Sequence, residues 1–253
     1  MDLLLKLLFI CPMLFIAGIV DGISGGGGII ALPTYLFAGL PVNLAYGCNK
    51  LQSCLGTCGS LYKYSKDGFA DHKAGLFCSV TTVIGSFSAT RIMLILPEKI
   101  QTVIICIMMC FIISLTFLIS KVRSGEFTRV RVTKENIIRF LAIGMTIGLY
   151  DGFFGPGGST VAMMLLSLIF GYDIRCANGT GKIMVVVSNL TAVVNYALEG
   201  SILYTIAVPA TISNILGSYI GASVASKKGV GIVRIFTILV VIIVVIQGIT
   251  KLL

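Results

Sequence analysis

The chain has 253 residues, of which 57% are hydrophobic and 11% charged, with a mean hydropathy of +1.02. Soluble domains carry about 25% charged residues, so this composition excludes an ordinary water-soluble globule. The net charge of +9 does not mark a nucleic-acid binder: the basic residues fall in short connections between apolar runs, where a positive-inside bias puts them.

Taken in chain order, the first apolar run leads to "DGISGGGGII", Asp21–Ile30, an acid and five glycines inside greasy sequence. The run lacks a basic n-region and a small-residue cleavage site, so it reads as part of the mature protein rather than a signal peptide. A short apolar segment, Ile29–Ala38, follows the glycines. Helices are then expected at about 44–63, 74–91 and 99–120. Long apolar stretches such as Ile100–Ile119, Ile183–Leu198 and Ile232–Ile249 have the length of transmembrane helices.

The pattern then repeats. "DGFFGPGGST", Asp151–Thr160, matches the first acid–glycine stretch at an offset of 130 residues (21 to 151). Further on the offset is 132 (50 to 182). Ala45–Lys50 matches Ala177–Lys182, Tyr64–Gly68 matches Tyr196–Gly200, and Gly85–Ala89 matches Gly217–Gly221. The second copy predicts a short segment at Thr160–Phe170 and helices at about 177–197, 203–225 and 232–251. The expectation is an all-α polytopic membrane protein forming a single transporter domain over 1–253. Repeat 1 spans about 1–120, a cytoplasmic linker 121–136, and repeat 2 about 137–253. Each repeat holds a glycine-broken helical hairpin plus three transmembrane helices.

Lys and Arg counts orient the chain. The linker carries Lys121, Arg123, Arg129, Arg131 and Lys134, the 63–73 loop Lys63, Lys66 and Lys73, and the 226–234 loop Lys227, Lys228 and Arg234. All three are expected to be cytoplasmic, and both termini external, in the cell (inner or plasma) membrane. The 198–203 connection, repeat mate of 63–73, comes out external, so the repeats are inverted. Inverted repeats with matching glycine interruptions mark secondary transporters with a midplane site.

In a bilayer, broken helices survive only inside protein or beside a water-filled cavity. The glycines Gly25, Gly26, Gly27 and Gly28, and Gly157 and Gly158, open N–H groups at the start of a new helix, an anion-binding feature. Ser24, Ser159 and Thr160 add hydroxyls; tight helix packing is the competing use of such glycines. Lys50 and Lys182 hold the same repeat position inside membrane helices, next to Asn49, Asn178 and Thr180. Two matched ammoniums suit a small anion, unless they snorkel to the interface. Asp21 and Asp151 stand as helix caps at the breaks, as partners of the lysines, or as proton carriers. Asn189 and Asn195 are weaker intramembrane polar candidates, and Arg91 reads as the end of a helix at the outer face.

Other chemistries find little support. "GTGK", Gly179–Lys182, lacks the Ser/Thr and first glycine of a phosphate-binding loop. The glycine run sits in no βαβ unit. The eight cysteines form no C-x-x-C, and the only histidine is His72; no metal, cofactor or enzymatic activity is expected.

The stretches Gly18–Pro33 and Gly148–Thr160 resemble the TauE/SafE-type sulfite exporter family, and "GTGK" after Ala177-Asn178 is similar to that family's second-half element. The resemblance covers essentially the whole chain. It implies export of a small sulfur-containing anion such as sulfite or an organosulfonate. Cys48-Asn49-Lys50 departs from the Gly-Thr-Ser-like element of the family's first half, which bears on substrate identity rather than fold. The expectation is a secondary transporter working by alternating access, its partners a small anionic substrate, the lipid bilayer and H+ as coupling ion, with no nucleic acid. The alternatives are a thiol relay through Cys48, Cys54 and Cys58, with Cys48 activated by the nearby Lys50, and a passive anion channel.

Overall fold

The computed structural model describes residues 3–105, 107, 108, 130 and 132–228. Eight helices are α1 (Leu3–Ser24), α2 (Gly28–Phe37), α3 (Val42–Lys66), α4 (His72–Ile95), α5 (Ile137–Phe153), α6 (Gly158–Phe170), α7 (Ile174–Leu198) and α8 (Tyr204–Lys228). Residues 98–105 are also helical, and no strand occurs among the described residues. The expected short segments appear as α2 and α6, and the long helices at 44–63, 74–91, 177–197 and 203–225 appear a few residues longer at most ends. Most of the expected helix 99–120, the helix 232–251, most of the linker 121–136 and residues 229–234 lie outside the described residues.

Helix ends follow local chemistry. Asp71 caps α4 by accepting from the Ala74 N–H at 3.1 Å, and Asp173 caps α7 by accepting from Arg175 N–H at 3.1 Å, each satisfying an orphan donor of the first turn. Helices α3 and α7 begin and end at positions offset by 132 residues (42 to 174, 66 to 198). Helices α1, α4 and α7 are long and apolar enough to cross a membrane.

The outward surface is apolar, with Leu8, Leu76, Val80, Ile138, Leu190 and Leu216 all well exposed. The interior packs apolar clusters around buried polar groups, among them Asn49, Lys50, Gln52, Thr57, Asp151, Lys182 and Asn195. An apolar outer surface together with buried charged groups departs from the soluble-protein pattern and fits a hydrocarbon solvent.

Helix α1 lies along α8, α5 lies along α4, and α3 packs on α7 and α8. Contacts recur with the matching positions exchanged. Thr82 donates to the Gly144 carbonyl at 3.0 Å, and its offset mate Asn214 donates to the Leu14 carbonyl at 3.0 Å. A Cβ on Gly148 would meet Ser86 N at 2.9 Å, and one on Gly18 would meet Ser218 N at 2.9 Å. Small residues thus bring the backbones together and side-chain hydrogen bonds join them, as lipid-embedded helices require.

Candidate functional site

Two helix breaks meet in the middle of the molecule. After α1 the chain turns through Gly25 at φ +80°, and after α5 through Gly155 at φ +89° and Gly157 at φ +79°. Those left-handed values favour glycine. Thr160 of the second break donates to the Ser24 carbonyl of the first at 2.6 Å. A Cβ on Gly28 would sit 2.6 Å from Pro156 Cα, and one on Gly25 would sit 2.7 Å from Thr160 N. The breaks touch backbone to backbone, so α2 and α6 start beside each other. Gly27 and Gly157 occupy the N-cap positions without side-chain caps. In the first turns Ile29 and Ile30 N–H bond back to the Gly26 and Gly27 carbonyls and Gly158 N–H to the Gly155 carbonyl, while both helix starts keep the positive end of the dipole.

Neither Asp21 nor Asp151 caps α2 or α6. Each lies in the last turns of its helix and pairs with the lysine of the other half. Lys182 Nζ is 2.7 Å from Asp21 Oδ2 and donates to the Asp21 carbonyl at 2.7 Å. Lys50 Nζ is 3.1 Å from Asp151 Oδ2 and also donates to the Asp151 carbonyl. Both lysine side chains are 0% exposed, so they do not snorkel. Each ammonium sits at the C-terminal end of an interrupted helix, where the dipole favours a cation. Each pair is formally neutral. Removing one partner of such a pair costs about 3–5 kcal/mol, because a bare charge is left behind.

A small cavity of about 10 Å³ lies between the breaks, room for roughly one water. Among the expected site residues, Asp21, Gly25, Gly28, Asn49, Gly157, Gly158 and Ser159 line it. Lys50 and Lys182 do not; they stand behind their acids. Asn189, a weaker candidate, lines it as well, together with Ser53, Thr57, Gly155 and Val185, which sequence reasoning did not single out. Asn49, Ser53 and Thr57 recur every fourth residue, so they share one face of α3; that spacing was the available signal. Ser159 Oγ and Asn189 Oδ1 are buried and find no hydrogen-bond partner among the described residues.

The other expected residues lie outside the cavity lining and make contacts within the protein. Ser24 Oγ bonds back to the Val20 carbonyl at 3.2 Å. Gly26 accepts from Ile29 N–H at 3.1 Å, and Gly27 packs on Asp21, where a Cβ would come within 2.6 Å of Asp21 Cβ. Asn178 donates to the Ile23 carbonyl and to Tyr64 Oη, both at 2.9 Å. Thr180 accepts from Asp71 N–H at 3.0 Å, tying α7 to the loop before α4. Asn195 donates to the Phe87 carbonyl at 3.3 Å, and Arg91 pairs with Glu199 at 2.8 Å on the surface. Of the relay candidates, Cys48 faces the Leu203 carbonyl at 3.7 Å and Cys54 the Val186 carbonyl at 3.9 Å. Cys58 is exposed, and none of the three lines the cavity.

An all-helical apolar shell around two interrupted helices and buried charge pairs defines a membrane transporter. The chain belongs to the sulfite exporter TauE/SafE family, whose model matches residues 10–248. It is 29% identical over 223 residues to a probable membrane transporter protein of Haemophilus influenzae, covering 87% of this chain and 85% of that one. It is 28% identical over 237 residues to probable membrane transporter protein ORF9 of a Sinorhizobium species, covering 94% and 89%. It is 27% identical over 242 residues to the probable membrane transporter protein YfcA of Escherichia coli, covering 94% and 87%. No solved structure matches the chain.

Proposed function

We propose that this transporter moves a small sulfur-containing anion, such as sulfite or an organosulfonate, by alternating access around the cavity between the two breaks. The observation that carries the reading is the meeting of the α2 and α6 N-termini around a cavity lined by Ser159, whose buried hydroxyl finds no partner among the described residues. Two helix N-termini give a positive potential, and hydroxyl and amide groups supply donors. Ser53, Thr57 and Asn49 on α3 complete the ligand set. Lys50 and Asp151 hold the second break in place.

The reciprocal contacts support two inverted repeats related by a two-fold axis in the membrane plane, over 1–120 and 137–253. In this reading the protein lies in the cell membrane with external termini and cytoplasmic connections at 63–73, 121–136 and 226–234. A water-sized cavity supports a carrier that opens to one side at a time, rather than an open channel. The chain offers no nucleotide-binding motif to supply energy, so an ion gradient, with H+ as the coupling ion, or the gradient of the anion drives movement. Uptake of labelled sulfite, thiosulfate, sulfoacetate and taurine into proteoliposomes tests this. Saturable uptake of at least one of them is expected; transport of none would discard the sulfur-anion assignment.

A further inference from the structure

The two lysine–aspartate pairs occupy matching positions but have different surroundings. Asp151 is sealed, its side chain 1% exposed, with Oδ1 against Gly158, where a Cβ would come within 2.6 Å. Asp21 is 16% exposed and lines the cavity, within 3.4 Å of Thr57 Oγ1. It is the one ionisable side chain among the lining residues. The charged group facing it is Lys182 from α7. From α3, Tyr64 donates its hydroxyl to the carbonyl of Gly22, the residue next to Asp21, at 3.0 Å. The other neighbours are neutral: Gly27 before α2, Ser159 on α6, and Asn214 and Ser218 on α8 along α1.

We infer that Asp21, and not its mate Asp151, carries the coupling proton, and that protonating it releases Lys182 to the transported anion. This rests on the anion reading above. The charges balance as follows. With Asp21 ionised the pair is neutral and the ammonium is held by the carboxylate and by the Asp21 carbonyl; protonation removes the charged half of that grip. When the cavity opens to water, an O–H bond forms on Asp21 Oδ2 with a proton from that side. Lys182 keeps its own proton, so the pair gains one positive charge. One anionic charge entering the cavity offsets it, accepting from the Ser159 hydroxyl, which has no partner among the described residues, and from the amide N–H of Asn189. Release on the other side returns the proton to water and Lys182 to Asp21. Such a site moves proton and anion in the same direction. Asp151 is not among the residues that line the cavity; its carboxylate lies behind Gly158 with its side chain 1% exposed, which bars it from exchanging protons in this way.

The test uses proteoliposomes with a trapped pH dye and labelled thiosulfate, an anion that does not itself titrate near neutral pH. In the wild type, a thiosulfate gradient is expected to drive proton movement. Asp21→Asn is expected to exchange thiosulfate still, with a shifted KM, while anion-driven proton flux falls at least tenfold; Asp21→Glu restores part of it. Lys50→Met/Asp151→Leu, which removes the sealed pair together, is expected to keep proton flux. Proton flux that survives Asp21→Asn would overturn the inference. So would loss of flux, with exchange retained, in the Lys50/Asp151 variant, which decides the matter even if Asp21→Asn does not fold. Thiosulfate uptake by the wild type without protons would overturn the inference and leave the anion reading standing. Absence of uptake of every sulfur anion would remove both.

Discussion

The Lys50–Asp151 and Lys182–Asp21 pairs are drawn from equivalent sequence positions, yet one is sealed in protein and the other opens on a cavity. The same two groups therefore sit in two different environments. The sealed pair pins α3 to the end of α5 and supports the second break. The open pair has one carboxylate edge that lines the cavity. The difference comes from the neighbours rather than the pair itself. The face of α3 that reaches the cavity carries Asn49, Ser53 and Thr57, whereas the corresponding positions of α7 carry Gly181, Val185 and Asn189. A near-symmetric frame thus holds an asymmetric site.

Substitutions sharpen that comparison. The largest effect is expected for Asp151→Ala, which strands the buried Lys50 ammonium and should cost about 3–5 kcal/mol of stability. Thermal unfolding in detergent measures it, and Lys50→Met/Asp151→Leu should recover most of the loss. Asp21→Ala should cost less, because water can reach the ammonium it leaves through the cavity. Equal losses for the two acids would erase the distinction between the pairs. Gly28→Ala pushes a methyl against Pro156, and overpacking of this kind costs about 1–3 kcal/mol; it should also slow transport by wedging the breaks apart.

The smallest effect is expected away from the site. Lys63 Nζ grips Asp67 at 2.5 and 2.6 Å, which holds the Asp67 carboxyl below its usual range. A carboxyl lowered on folding contributes stability that is present above the ordinary carboxylate range and is lost as pH falls through its own lower value. Asp67→Asn should therefore flatten the acid side of the stability profile. At neutral pH it should cost only about 0.5 kcal/mol, since the pair is a helical one near the surface.

Much of this frame was legible in the chain. The acid–glycine stretches had to interrupt helices, because glycine runs and charges in apolar sequence need protein or water around them. The matched Lys50 and Lys182 announced buried chemistry in both halves. What sequence could not supply was the partner: whether Asp21 caps a helix, carries a proton or meets a lysine depends on how α7 crosses the end of α1. The lysines accordingly stand one layer behind the cavity rather than in its lining. Asn178 and Thr180, polar neighbours of Lys182, turn instead to Tyr64 and Asp71, because successive residues of a helix point in different directions. Ser53 and Thr57 were hidden as ordinary small polar residues, although their spacing from Asn49 gave the face away.

The most direct test of the cavity as the anion site is the KM of Ser159→Ala. It is measured for whichever labelled sulfur anion the wild-type proteoliposomes take up. Ser159 Oγ is buried, lines the cavity and has no hydrogen-bond partner among the described residues, so its loss should leave the unfolding temperature nearly unchanged. A hydrogen bond to a charged ligand contributes about 1.5–3 kcal/mol, so KM should rise on the order of tenfold to a hundredfold. Wild-type KM and rate in Ser159→Ala would contradict the account and place the anion elsewhere.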